Sequence, residues 1–178
     1  MAESFAIGDA VPAFTLTDTE GEAHAVPAPE APPATVLVQT CNHCPYVIAW
    51  NPRLRAVAEE YGPRGVRFLA ISSNDPSRYP ADSPERMAQF VRDQDWPIPY
   101  AYDESQDVAR ALGAERTPHV FVLDGEQRLA YRGAPDADHE DPSQDAAWLR
   151  AALDAVLEGG AVDRPETPAR GCSIKWRT

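Results

Sequence analysis

Thr35-Val36-Leu37-Val38-Gln39-Thr40-Cys41-Asn42-His43-Cys44-Pro45 is the stretch that decides the fold. Its first half is a short β-branched, apolar run. Val47, Ile48, Leu54, Val57 and Tyr61 then recur at three- and four-residue steps, so a strand passes almost directly into a helix with two thiols at the junction. A thiol at a helix N-terminus meets unpaired backbone N–H groups and the positive end of the macrodipole, both of which favour the thiolate. Cys41 is expected to be that thiolate and to attack a disulfide. Cys44, one turn further in and less exposed, is expected to resolve the mixed disulfide.

The chain has 178 residues, 43% of them hydrophobic, which suffices for one sizeable core, and residues 1–178 are expected to form a single domain. Sixteen basic against 28 acidic residues leave a net charge of −12, which repels nucleic acid and anionic membranes; a monomer or dimer is expected. No segment approaches the roughly 20 apolar residues of a membrane span, and the start has no signal-peptide pattern. Three cysteines, two of them in C-x-x-C, do not make a disulfide framework; in a reducing compartment such a pair is more often redox-active or metal-binding than structural, and with no export signal a cytoplasmic location is expected.

Residues 13–26 read as a hairpin at one sheet edge, turning through Asp18-Thr19-Glu20-Gly21, and Pro27, Pro29, Pro32 and Pro33 form a stiff exposed linker that completes an N-terminal extension over 1–33. Pro52 should kink the first helix. Val66–Ser72 is a second buried strand, and helix followed by strand predicts a parallel βαβ unit. Ser83-Pro84 starts a helix, Ser105–Leu112 forms another that stops at Gly113, and Val120–Leu123 with Arg128–Tyr131 form an antiparallel hairpin. A last helix is expected from near Asp141-Pro142 to Gly159-Gly160, followed by a tail over 160–178. The acidic run Asp136–Asp141 lacks calcium-loop spacing and reads as a solvated loop.

The order of these features, with Thr117-Pro118 leading into the hairpin, resembles the thioredoxin-like α/β fold: a central mixed sheet flanked by helices, here with an N-terminal β-hairpin extension. Gly8–Asp18 with Gly21 resembles the opening of the redoxin branch, which holds the AhpC/TSA and TlpA-like proteins. Cys41–Tyr46, Ile71–Asp75, Arg116–His119 and Gly171-Cys172-Ser173-Ile174-Lys175-Trp176 resemble a subgroup described as thioredoxin family proteins. The resemblance implies a thiol-disulfide oxidoreductase that exchanges a Cys41–Cys44 disulfide with protein or small-thiol substrates. A thioredoxin or glutathione system would restore the dithiol, and no metal or organic cofactor is required. It further implies that Pro118 is cis, with the preceding backbone at Thr117 free to pair with an incoming strand. Asn42 and His43 are expected to tune the thiols or face substrate, the His43 cation stabilising the Cys41 thiolate.

Thr40 stands where relatives carry a Trp before the first thiol, so their exposed aromatic lid is missing. At the positions of the Pro and the peroxide-orienting Thr of peroxiredoxins, this chain has Ala34 and Val38 counted from Cys41, or Leu37 and Cys41 counted from Cys44. A thiol peroxidase is therefore the weaker enzymatic alternative. A non-enzymatic alternative is a copper metallochaperone with Cys41, Cys44 and His119 as ligands, although His119 reads more simply as a core or surface residue. Cys172 is open between a tail anchor and a third redox thiol that reaches Cys41 or Cys44.

Overall fold

A computed structural model describes residues 5–178. Five strands form the central sheet: β3 (Thr35–Thr40), β4 (Arg67–Ser72), β5 (Tyr100–Tyr102), β7 (His119–Leu123) and β8 (Leu129–Gly133), in the order β5-β4-β3-β7-β8. β4 runs parallel to β3 and β5 parallel to β4, whereas β7 is antiparallel to both β3 and β8. The sheet is therefore mixed, as the resemblance implied. β5 was not anticipated, because three residues behind Pro97 and Pro99 carry no periodicity of their own.

Period-two alternation in β3 divides the core. Val36 and Val38 join Leu54 and Val57 of α1 (Pro45–Tyr61), Met87 of α2 (Pro84–Gln94) and Leu149 and Leu153 of α4 (Ala147–Leu157) on one face. Leu37 turns to the other, against Val108 and Leu112 of α3 (Asp107–Leu112) and Ile174 of the tail. α1 continues through Pro52 as one helix. A proline there costs about 3 kcal/mol. Burying Val47, Leu54 and Val57 at roughly 1.5–3 kcal/mol each outweighs it. Ile48, counted among the inward residues on spacing, instead faces solvent at 59% exposure.

Two further expectations are corrected. The last helix does not begin near Asp141: Pro142–Gln144 forms a separate 3-10 turn capped by Asp141, and left-handed Asp145 and Ala146 break the chain before α4. The acidic run is not simply solvated either. Asp136 is fully buried and accepts from Trp50 Nε1, Arg53 Nη1 and the backbone N–H groups of Asp138 and Ala146. Arg53 in turn donates to the carbonyls of Asp138 and His139.

The hairpin of β1 (Phe14–Thr17) and β2 (Ala23–Val26) lies beside β5 through an Asp18–Ala101 bridge. At the opposite edge the tail runs along β8 through an Arg132–Glu166 bridge, then pairs its own β9 (Cys172–Ser173) with β6 (Arg116–Thr117).

Candidate active site

Cys41 follows the last residue of the central strand, and the turn Cys41–Cys44 leads into α1. Pro45 occupies the first helical position, where its missing N–H would have had no partner. The helix thus starts after both thiols, and Cys44 rather than Cys41 is its N-cap. This shifts the electrostatics away from expectation. Cys44 sits between two other thiols: it is hydrogen-bonded to Cys41, its Sγ is 2.8 Å from Cys172 Sγ, and the N–H of Val47 points at it. The hydrogen bond from Cys41 does most to lower its pKa, overcoming the opposing effect of burial. Cys41 is raised, by that same bond first, then by burial and by the negative charge of Asp82. Of the pair, Cys44 is thus the more acidic thiol and Cys41 the less.

Both thiols are buried, Cys41 at 4% exposure and Cys44 at 1%, and all three cysteines are free. Thr117 closes the site from the far side: its Oγ1 is 3.6 Å from Cys41 Sγ and its carbonyl oxygen 3.4 Å from Cys44 Sγ. The Thr117–Pro118 bond is cis. The backbone of Thr117, expected to be free, is already paired with Cys172 of the chain's own tail.

His43 does not stand alone against Cys41. Its Nδ1 is 2.9 Å from Asp82 Oδ2, on a carboxylate with no exposure that also accepts from the Asn42 N–H at 2.8 Å and from Asn74 Nδ2 at 2.9 Å. A cation on His43 is therefore matched first by Asp82. Asn42 is held as well, donating to the Ala81 carbonyl and accepting from the Tyr100 hydroxyl, so it positions the turn. Asp82, the residue missed from sequence, directly precedes the helix start at Ser83-Pro84, and Asn74 lies in the Ile71–Asp75 fragment; neither shows periodicity or spacing relative to the thiols.

The copper set is not assembled. His119 lies on β7, buried against Phe121 with ring centroids 4.5 Å apart, and its Nδ1 accepts from the Glu115 N–H. Burial lowers its pKa to about 4, with Arg132 adding to the effect. At the thiols, the ligand atoms that gather within 4.8 Å of one another are those of Cys41, His43 and Asp82; a second such group, Asp18, Glu22 and His24, lies at the hairpin turn.

An open groove lined by Asn42, His43, Pro80, Arg86 and Phe90 begins beside the thiols. It opens at the two residues between the thiols, while the cysteines themselves do not line it. Among the described residues no helix is long and apolar enough to cross a membrane.

The chain is 40% identical to an uncharacterized conserved protein of Geobacillus kaustophilus, over 97% of this chain and 93% of that one, with a TM-score of 0.90. It is 35% identical to a hypothetical protein of Sinorhizobium meliloti 1021, over 99% and 97%, with a TM-score of 0.91. A thiol:disulfide interchange protein of the thioredoxin family from Chlorobium tepidum TLS shares the fold at 16% identity and a TM-score of 0.66, over 85% and 98%. No curated protein matches the chain. With the fold thioredoxin-like, and with residues 7–132 matching the family model, the chain belongs to the AhpC/TSA family.

Proposed function

We propose that this protein is a thiol-disulfide oxidoreductase that cycles Cys41 and Cys44 between dithiol and disulfide, within the subgroup marked by Cys41–Tyr46 and Gly171–Trp176. The observation that carries the proposal is a pair of free, hydrogen-bonded thiols at the end of a central strand, the second of them the N-cap residue of α1. Cys41, the less covered of the two, attacks a substrate disulfide while its proton passes to Cys44. The first substrate thiolate leaves. Cys44 then attacks Cys41 of the mixed disulfide, its proton going to the second leaving thiolate, so one substrate disulfide is reduced as Cys41–Cys44 forms. The groove beside Asn42 and His43 suits a disulfide-bearing peptide or a small thiol, and a cytosolic thiol system would return the dithiol.

Cys41→Ser is expected to abolish reduction of insulin disulfides, and Cys44→Ser to accumulate a mixed disulfide visible as added mass. Full activity in Cys41→Ser would refute the assignment. A peroxidase is disfavoured because Ala34 and Val38 supply neither the ring nor the hydroxyl that would orient a peroxide at Cys41.

A further inference from the structure

The tail is built into the redox centre. Thr117 pairs with Cys172 and Arg116 with Ser173, so the strand position beside the cis-proline is filled by the chain itself. The approach is so close that a Cβ on Gly171, whose φ is +153°, would lie 1.9 Å from the Thr117 carbonyl oxygen, and only glycine fits. Further anchors hold the segment in register. Asn74 Oδ1 accepts from the Lys175 N–H, the Asp75 N–H donates to the Lys175 carbonyl, Ile174 is buried, and Arg110 stacks on Trp176 at 4.5 Å. These contacts place Cys172 Sγ 2.8 Å from Cys44 Sγ, on a residue more exposed than either of the other cysteines. Two thiols that close, one on a strand fixed by sheet pairing and the other at the start of α1, need little rearrangement to bond at about 2.05 Å.

We propose that Cys172 is a third redox thiol of the same centre: it attacks Cys44 of the Cys41–Cys44 disulfide, forms Cys44–Cys172 and releases Cys41. One S–S bond forms as one breaks, the Cys172 proton passes to the departing Cys41 sulfur, and no external oxidant or reductant is consumed. The oxidised chain then exists as two disulfide isomers, one of which keeps Cys41 as a thiol and closes the tail covalently over β6. The proposal rests on the reading that Cys41 and Cys44 form an exchangeable disulfide. Because the tail is tethered, the exchange is intramolecular and outcompetes dilute external thiols.

The test oxidises the full chain with glutathione disulfide, quenches with acid, blocks the one remaining thiol with N-ethylmaleimide and digests with trypsin. Cleavage after Arg53, Arg170 and Lys175 puts Cys41 and Cys44 in one peptide and Cys172 in another. The label is expected to divide between Cys172 and Cys41, the isomers within about tenfold of each other, or about 1.4 kcal/mol. Peptide 171–175 should be linked to the peptide ending at Arg53 in the fraction labelled on Cys41. Gly171→Ala should lose that link and keep the Cys41–Cys44 disulfide. Label confined to Cys172 in the wild type overturns the relay and leaves the oxidoreductase reading intact. Absence of any Cys41–Cys44 disulfide overturns the oxidoreductase reading itself.

Discussion

Two buried polar clusters flank α1 and have opposite characters. Beneath the middle of the helix, the Asp136 carboxylate and the Arg53 guanidinium are saturated: every strong donor near the carboxylate points at it, and the spare guanidinium N–H groups reach carbonyls. At the N-terminus, Cys44 lies against Cys41 and Cys172 through sulfurs that are weak hydrogen-bonding partners, beside the Asp82 carboxylate, whose charge raises the Cys41 pKa. The first cluster has a single satisfied arrangement and can only hold the fold together. The second holds Cys44 in contact with two other free thiols, and sulfurs within reach of one another are the condition for exchange chemistry.

The sharpest way to break the contrast is Arg53→Met. It leaves Asp136 buried without its counter-charge and should lower stability by about 3–5 kcal/mol in denaturant unfolding. Disulfide reduction per folded molecule should stay near wild type at low temperature. A collapse of activity without a loss of stability would mean that the two clusters are coupled.

A smaller effect is expected at His119, beside the sheet centre. Its pKa is lowered to about 4 in the fold and is near 6.5 when unfolded, so between these pH values the unfolded chain binds a proton that the folded one does not. Stability is therefore full above pH 6.5 and falls as pH drops toward 4, by at most about 3 kcal/mol. His119→Gln should flatten that part of the profile relative to wild type in urea titrations at stepped pH. An unchanged slope would show that the ring is not held neutral.

The mildest test is Asp82→Asn, which keeps the hydrogen-bonding shape and removes the charge. Since the carboxylate raises the Cys41 pKa, the alkylation midpoint of Cys41 should move to lower pH, and the reduced form should gain stability against glutathione. A midpoint that rises would show that the His43 ion pair, and not repulsion, dominates at this thiol.

Much of the architecture could be read before the coordinates, for identifiable reasons. β3, β4, α1 and the β7–β8 hairpin are long enough for periodicity to act, and Ser83-Pro84 caps α2 through a chemistry that depends only on neighbours in sequence. The misses are all non-local. Ile48 lies on spacing that α1 does not bury, β5 exists because β4 offers it a partner, and Asp136 is buried because Arg53, far away in sequence, meets it. The site divides in the same way. Cys41, Cys44 and Thr117-Pro118 announce themselves by spacing and order. Asp82 becomes part of it only once the loop after β4 folds over the turn, and the Cys44 pKa falls chiefly because Cys41 and Cys172, the latter 128 residues away, both meet its sulfur.

The bridges at the two margins of the sheet have a bearing on solubility. An open five-stranded sheet ends in two rows of unpaired amide and carbonyl groups that invite another chain to add on. Here the hairpin guards the β5 margin through Asp18, and the run around Glu166 guards the β8 margin, where the Arg132 N–H donates to the Pro165 carbonyl and the Thr167 N–H to the Arg132 carbonyl. Both ends of the polypeptide thus serve as bumpers against fibril-like stacking. Trimming the hairpin for crystallisation or fusion would expose a sticky rim along β5, whereas trimming the tail would remove Cys172 before it uncovered β8.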